Sequence, residues 1–267
     1  HPDMKEYHEG NYSADNQFSD SNQNESRLWK YYEGIRKAST FVNNVDLCPE
    51  LTMDEKTDMK GQARFLRAYC YWALMRVYGP VPLIPLEGLD VNLSYEELSL
   101  PREHFDVLVD FVDKELMEAA RSLPTKRTVN NLGRPTRGAA LGLRSRVLLF
   151  AASPLFNGNT DLFDVKDCYG NLLIAQEYDE SKWARAAAAA RDVIELAKSA
   201  DLYELYTIAP KATTLEWERP PYNDEYSNKT YPDGWADVDP LLSYKSIFEW
   251  KEPAGCDVEN GECVCYE

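Results

Sequence analysis

The feature that most limits how this chain can fold is the segment Lys60–Pro85, which is apolar around most of a predicted helix and then becomes rich in proline. Apolar residues recur there at helical spacing in two stripes. The first stripe is Ala63, Leu66, Cys70, Leu74 and Val77, and the second is Phe65, Tyr69 and Trp72. A helix that is apolar on two sides must lie between two layers of protein. We therefore expect an interior helix that other helices contact on opposite sides.

Three arginines, Arg64, Arg67 and Arg76, interrupt this apolar helix. Because a buried charge without a partner is costly, we expect carboxylate or carbonyl partners for them. Gly79 is suited to the left-handed conformation that ends many helices. The proline-rich stretch 80–85 then predicts an extended chain.

Four more helices are predicted by apolar periodicity and by capping signals. They are expected from about Ser26 to Val45, from Pro101 to about Ala120, from Pro135 to about Ser153, and from Ser181 to no further than Leu205. The central helix is expected to begin after Thr52, because Thr52 and Glu55 have the spacing of a capping box. The predicted fold is mainly α, with stacked antiparallel helix pairs that resemble degenerate tetratricopeptide repeats joined by long loops.

Three segments carry a recognisable signature. The first contains Arg64-Phe65-Leu66-Arg67-Ala68, Tyr71, Leu74, Tyr78-Gly79 and Val81-Pro82-Leu83; the second contains Trp29, Tyr32, Ile35 and Ala38; the third is Arg137–Ala151. In this order they resemble the SusD/RagB family, the surface glycan-binding lipoproteins of Bacteroidetes. Thr40 and Phe41 depart from the family's pattern. The resemblance covers roughly residues 27–200.

The resemblance implies a single SusD-like helical-repeat domain over 1–267, with an N-terminal loop region at 1–26, helical repeats at 27–200 and an irregular loop-rich region at 206–267. Family members carry a signal peptide and a lipid-bearing cysteine upstream, and they continue well past the point where this chain stops. We therefore expect this chain to be an incomplete stretch of an outer-membrane, surface-exposed lipoprotein that lacks its anchor and part of its C-terminal lobe. In the family such a lipoprotein covers a SusC-like TonB-dependent transporter and delivers oligosaccharide to it for nutrient uptake.

The charge of the chain excludes some partners. With 29 basic and 45 acidic residues, the formal net charge is −16. Nucleic-acid binding depends on clustered Lys and Arg, so we predict no nucleic-acid partner. The sequence also has no run of about eighteen apolar residues that would predict a membrane-spanning helix.

Catalytic signatures are missing from the sequence. His1, His8 and His104 are its three histidines, and His104 is expected at the protein surface. We find no nucleophile elbow, zinc-protease motif, phosphate-binding loop or dinucleotide fingerprint. Glycoside hydrolysis by a pair of carboxylates stays an open alternative because acidic residues are abundant, but their abundance does not indicate a site. We predict that the protein is not an enzyme.

Candidate ligand-binding residues come from the stretch 213–240, where aromatic side chains stand among prolines, amides and carboxylates without helical or strand periodicity. An aromatic ring covers the apolar face of a sugar, and polar groups at its edge bind the hydroxyls. We select Trp217, Tyr222, Tyr231 and Trp235 from local composition alone, with Tyr7, Tyr12 and Phe18 as further candidates. The alternative is that these aromatic rings pack the loop onto the helices.

We predict no cofactor, but the sequence leaves two questions open, a calcium site and the state of three cysteines. Asp233, Asp237 and Asp239 are a candidate calcium cluster, although they lack the order of a dedicated calcium loop. Cys256, Cys263 and Cys265 are close enough in sequence for a hairpin disulfide, and their spacing is a poor match to zinc.

The predicted function is non-catalytic binding of a glycan at the cell surface for delivery to a transporter. The alternative function is a tetratricopeptide-like scaffold that binds protein or peptide, because a fold alone does not fix a ligand.

Overall fold

The structure is a computed structural model that describes residues 25–90 and 92–199. Beyond these it describes residues 203, 207, 229–230, 238, 257–259 and 262–264. By its internal contacts the chain divides into two compact units, His1–Leu202 and Tyr203–Glu267. The expected single domain over 1–267 stays a prediction.

The described part of the first unit is mainly helical. Its α-helices are α1 Glu25–Asn44, α2 Met53–Tyr78, α3 Tyr95–Leu98, α4 Phe105–Ser122, α5 Arg137–Ala152 and α6 Ser181–Ser199. Single turns of 3-10 helix occur at Val45–Leu47, Val129–Asn131 and Thr160–Leu162. In the second unit, β1 Asp257–Glu259 and β2 Glu262–Val264 form an antiparallel hairpin in which Val258 is opposite Cys263.

Local capping chemistry fixes the ends of α2. The Thr52 side chain accepts from the Glu55 amide, and the Glu55 carboxylate accepts from the Thr52 amide, so the predicted capping box is confirmed. At the other end Gly79 has φ +66°, and its amide donates to the Met75 carbonyl at 3.0 Å. Few residues other than glycine adopt this conformation without strain, which explains why the helix ends there.

The predicted start of α4 is wrong by one helical turn, since the helix begins at Phe105 and not at Pro101. The His104 side chain caps it, because its Nδ1 atom accepts from the Asp106 amide at 3.2 Å. Two amides just before the helix donate to carbonyls of other segments, Glu103 to Val81 and Phe105 to Leu173. These tertiary hydrogen bonds keep the chain extended as far as the cap.

The large helices stack in chain order. Each of α1, α2, α4, α5 and α6 packs against the next one, so α2 lies between α1 and α4. The predictions of a mainly α fold with stacked antiparallel helix pairs, and of an interior central helix, are confirmed. Close approach at two glycines supports this packing. A Cβ atom at Gly34 would lie 3.1 Å from Cys70 Sγ, and one at Gly61 would lie 2.9 Å from Ser122 Cβ.

The two apolar stripes predicted on α2 are wrong in part. Leu66 and Val77 are 52% and 58% exposed, and Tyr69 is also exposed. The buried side of α2 instead includes Arg67 and Tyr71. Periodicity misplaced the buried face because Arg67 counts as polar in the sequence, whereas its charge is neutralised inside the protein.

Aromatic rings join the helices to the loop that follows α5. The Phe105 and Phe156 rings stack with their centroids 3.8 Å apart, and Trp72 meets Phe150 edge-on at 5.1 Å. Phe105 begins α4, while Phe156 lies just after α5. This cluster therefore fixes the base of the α5–α6 loop, residues 153–180, to the helical core.

Candidate functional site

Two long connections, residues 79–104 and 153–180, lie at the same end of the helix pairs. Buried polar groups of α2 position the first one. Arg67, with 1% of its surface exposed, donates from Nη2 to the Ile84 carbonyl at 2.9 Å, and the Ile84 amide donates to the Tyr71 hydroxyl at 2.9 Å. Both polar groups of Ile84 are thus bound by one helix, which fixes the extended proline-rich chain.

The arginines of α2 differ in their partners. Arg64 Nη1 lies 2.6 Å from Glu115 Oε1, and Arg67 Nη1 lies 3.6 Å from Glu115 Oε2. The expectation of carboxylate or carbonyl partners is confirmed for these two. For Arg76 it is wrong, because this side chain is exposed and its guanidinium lies 5.7 Å from the centre of the Trp72 ring.

Helix α1 binds the same proline-rich chain from the other side. The Tyr32 hydroxyl donates to the Pro82 carbonyl, and Asn43 Nδ2 donates to the Leu86 carbonyl, both at 2.9 Å. Burial of the Tyr32 phenol, helped by the nearby Tyr71, raises its pKa above the usual range for tyrosine. These contacts place residues 82–86 along α1.

A groove of about 640 Å³ lies between α1 and residues 84–98. Its walls are largely apolar, with Leu86, Leu89 and Leu98 among them. Ser39 also lines it; this side chain is buried, and its Oγ has no hydrogen-bond partner in the described part of the chain. The volume lies in the range of small-molecule sites, and the mixture of apolar wall and hydroxyl suits a sugar ring or a peptide side chain.

The second connection is bound to the first by hydrogen bonds. The Arg102 side chain donates from Nη2 to the Lys166 carbonyl at 2.7 Å, and the Phe105 amide donates to the Leu173 carbonyl at 2.9 Å. The Glu103 amide also donates to the Val81 carbonyl at 3.1 Å, so the end of the first connection is bound both to its own beginning and to the second connection. The loop end of the helix pairs is therefore one connected structure.

Exposed aromatic rings cluster in sequence on the α5–α6 loop. Phe163, Tyr169 and Tyr178 are 65%, 76% and 65% exposed, and Trp183 in the first turn of α6 is also exposed. Aromatic rings contribute most to stability when they are buried, so several exposed ones on a single loop point to a binding role.

Comparison with known proteins gives the family. Residues 3–149 match the model of the SusD-like_3 family, whose description is "Starch-binding associating with outer membrane". This match covers more than half of the chain and includes α1, α2, α4 and most of α5. The chain belongs to the SusD-like family. The resemblance predicted from the sequence is confirmed.

Two relatives and one solved structure illustrate the similarity. The chain is 26% identical over 143 residues to SusD-like protein P25 of Formosa agariphila and 29% identical over 159 residues to a SusD-like protein of Bacteroides ovatus. The solved structure BT4246 is 32% identical, with a TM-score of 0.60 over 67% of this chain. The chain spans 26% and 27% of the two relatives and 31% of BT4246. It therefore corresponds to less than a third of their length.

The residues selected from the sequence as ligand-binding, Trp217, Tyr222, Tyr231 and Trp235, lie outside the described residues of this SusD-like chain, and so do Tyr7, Tyr12 and Phe18. Asp233, Asp237 and Asp239 and the side chains of Cys256, Cys263 and Cys265 also lie outside them. Within the described residues, no group of three or more His, Cys, Asp or Glu side chains is placed to hold a metal ion. Cys48, Cys70 and Cys168 are free thiols.

Sequence reasoning missed the exposed rings of the α5–α6 loop. The signal that selected residues 213–240, aromatic residues among amides and carboxylates without periodicity, is also present at 155–179. There the turn residues Asn157-Gly158 and Tyr169-Gly170 indicate a loop, but they do not tell an exposed ring from a buried one. Among the described helices, none combines the length and apolarity needed to span a bilayer.

Proposed function

We propose that this SusD-like chain is part of a non-catalytic protein that binds glycans at the outer-membrane surface. The observation that carries the proposal is the family match over residues 3–149, because the family is described as starch-binding and as associating with the outer membrane. The helical pairs supply a rigid scaffold, and the long loops at one end supply binding groups. Binding residues usually lie on loops that a rigid scaffold positions.

The ligand would be recognised through aromatic rings and polar side chains. We propose Trp217, Tyr222, Tyr231 and Trp235 as stacking residues, since in the sequence they stand among prolines, amides and carboxylates without helical or strand periodicity. Binding through such rings is expected at micromolar to millimolar dissociation constants, or roughly −8 to −4 kcal/mol. A ligand bound this weakly can be released to a next protein.

The test is a titration of the chain with linear starch oligosaccharides, followed by calorimetry and by tryptophan fluorescence. We expect saturable binding that the Trp217→Ala and Trp235→Ala variants weaken at least threefold. The Tyr95→Ala variant is the control, because Tyr95 is an exposed aromatic residue of the connection 79–104 and is not among the residues that line the groove. If the two tryptophan variants bind as the parent does, these residues are not the site. If the parent binds no oligosaccharide from a broad panel, glycan binding itself is wrong.

We further propose that the intact protein is a surface lipoprotein that delivers its glycan to a SusC-like TonB-dependent transporter. Cells that lack the protein should take up the bound oligosaccharide more slowly, and co-purification of the transporter should depend on its presence. If uptake of the oligosaccharide is normal and the transporter does not co-purify, the delivery role is wrong, while the proposal of glycan binding is unaffected.

A second candidate function, binding of a protein or peptide, is favoured by one observation. Leu66, Tyr69 and Val77 are exposed apolar residues of α2, and exposed apolar residues on one helix suit protein contacts. The same titration with a peptide library separates the two functions. Binding of peptides without binding of glycans would replace the first proposal with the second.

A further inference from the structure

We propose that the α5–α6 loop is a glycan-contact surface on which Tyr169 and Tyr178 stack against neutral pyranose rings. This inference rests on the proposed glycan-binding function and adds a site to it. It starts from the exposure of these rings, 76% and 65%, on a loop whose base is packed into the helical core. Leu173 and Ile174 of the same loop are buried, so the loop does reach the core. Tyr169 and Tyr178 are exposed even though a core lies nearby.

Tyr178 is presented on a backbone that the scaffold holds on both sides. The buried Asn157 side chain donates from Nδ2 to the Asp179 carbonyl at 2.9 Å and accepts from the Asp179 amide at 2.8 Å. The Gly158 amide donates to the Ala175 carbonyl at 3.2 Å. These hydrogen bonds join the beginning of the loop, residues 157–158, to its end, residues 175–179, directly beside Tyr178.

Gly158 shows how closely these two parts of the loop approach. A Cβ atom at this position would lie 2.8 Å from the Tyr178 amide nitrogen, and the residue has φ +77°. Only glycine fits both the space and the conformation. The Tyr178 backbone therefore lies directly against Gly158 while its ring remains exposed. A ring on such a fixed backbone binds without the entropic cost of ordering the loop.

Tyr169 is presented by a turn of a similar kind. The Asp167 carboxylate accepts from the amides of Tyr169 and Asn171, at 2.9 and 2.8 Å, and from the Asn171 side chain at 2.8 Å. These hydrogen bonds, that of the Asn171 side chain foremost, lower the pKa of Asp167. The carboxylate thus stays charged and keeps the turn closed at neutral pH.

The chemistry of the loop selects the ligand class. A tyrosine ring offers an apolar face to the C–H face of a pyranose and a hydroxyl to its rim. Residues 153–180 contain one basic residue, Lys166, and the acidic residues Asp161, Asp164, Asp167, Glu177, Asp179 and Glu180. A loop with this charge repels uronic and sulfated glycans, so it favours neutral ones.

The experiment is a titration of the whole chain with maltoheptaose, a neutral linear glucan, using the Tyr169→Ala, Tyr178→Ala and double variants. We expect each single variant to weaken binding about three- to tenfold, by the loss of one stacked ring. Tyr178→Phe keeps the stacking face and should bind within twofold of the parent. The control is Tyr95→Ala, whose exposed ring lies in the other connection and should not matter. Circular dichroism should show unchanged melting for all variants because the altered rings are exposed.

The outcomes separate this inference from the proposed function. If the tyrosine variants bind as the parent does while the Trp217 and Trp235 variants do not, the loop is not a contact surface and glycan binding stands. If the parent binds no neutral glycan, both proposals fail. Tighter binding of polygalacturonate than of neutral glucan would overturn the ligand class. Loss of peptide binding alone in the tyrosine variants would make the loop a protein-docking site.

Discussion

At the scale of single residues, the group with the greatest structural consequence is Glu115. Its buried carboxylate lies between two arginines of α2, with Arg64 at 2.6 Å and Arg67 at 3.6 Å. Arg67 also lies against the Phe111 ring, 4.7 Å from its centre, and holds the Ile84 carbonyl. One charge cluster thus joins α2, α4 and the proline-rich connection.

Removal of the Glu115 charge should therefore be costly. We expect Glu115→Gln to lower the free energy of unfolding by about 3 kcal/mol, because it leaves the buried Arg67 guanidinium without a counter-charge. Urea denaturation measures this. The matched control is Glu118→Gln in the same helix, where the ion pair with Arg121 is exposed. There the change should stay within about 0.5 kcal/mol. If the free energy of unfolding falls as little for Glu115→Gln as for Glu118→Gln, the buried cluster adds no more stability than an exposed ion pair.

The raised pKa of Tyr32 predicts a loss of stability in alkaline solution. In the unfolded chain this phenol ionises near its ordinary pKa of about 10, whereas in the folded chain it resists ionisation. The stabilising contribution is complete below about pH 10 and is lost as the pH rises above that value. We expect Tyr32→Phe to flatten the fall of the urea midpoint between about pH 9 and pH 11.

Tyr95→Phe is the control for this pH series, because Tyr95 is 85% exposed. It should leave the slope of the midpoint against pH as in the parent. A Tyr32→Phe slope equal to that of the parent would mean that other groups, and not Tyr32, control alkaline unfolding.

At the scale of helices, the sequence predicted the ends better than the faces. The capping box of Thr52 and Glu55 and the glycine end of α2 depend on neighbouring residues, so local reasoning found them. The buried face of α2 depends on Glu115, which is distant in sequence from Arg67. The start of α4 depends on hydrogen bonds to Val81 and Leu173. Likewise, composition selected the aromatic stretch 213–240, but it could not show that Tyr169 and Tyr178 of the α5–α6 loop are exposed while Phe156 is buried.

Two glycines test how tightly the helices pack. In α2, a Cβ at Gly61 would lie 2.9 Å from Ser122 Cβ and 3.1 Å from Leu123 Cγ. In α5, a Cβ at Gly142 would meet no side chain and no other segment of the described residues within 4 Å. Alanine is the better helix former by roughly 1 kcal/mol. We expect Gly142→Ala to raise the free energy of unfolding by about 0.5–1 kcal/mol.

The Gly61→Ala variant should show the opposite sign, a loss of about 1–2 kcal/mol, because the steric overlap with α4 exceeds the gain in helix propensity. Chemical denaturation of both variants gives the comparison. A stabilised Gly61→Ala variant would mean that α2 and α4 can move apart without cost.

At the scale of the whole molecule, charge and ligand class are linked. The chain carries a net charge of −16, and its matched part covers less than a third of the two relatives and of BT4246. An acidic surface keeps such a protein soluble and repels anionic polymers. The acidic surface does not repel neutral glycans at long range. Their binding therefore depends on stacking and hydrogen bonds at short range.

This difference predicts how salt affects binding. Between about 50 and 500 mM salt the Debye length falls severalfold, so repulsion between the acidic surface and an anionic ligand is screened. We expect the affinity for maltoheptaose to change less than twofold over this range, as measured by calorimetry. Any affinity for polygalacturonate should rise with salt, which makes it the internal control. A neutral glucan whose binding weakens tenfold in salt would instead indicate that charge-assisted contacts, and not the aromatic rings, hold the ligand.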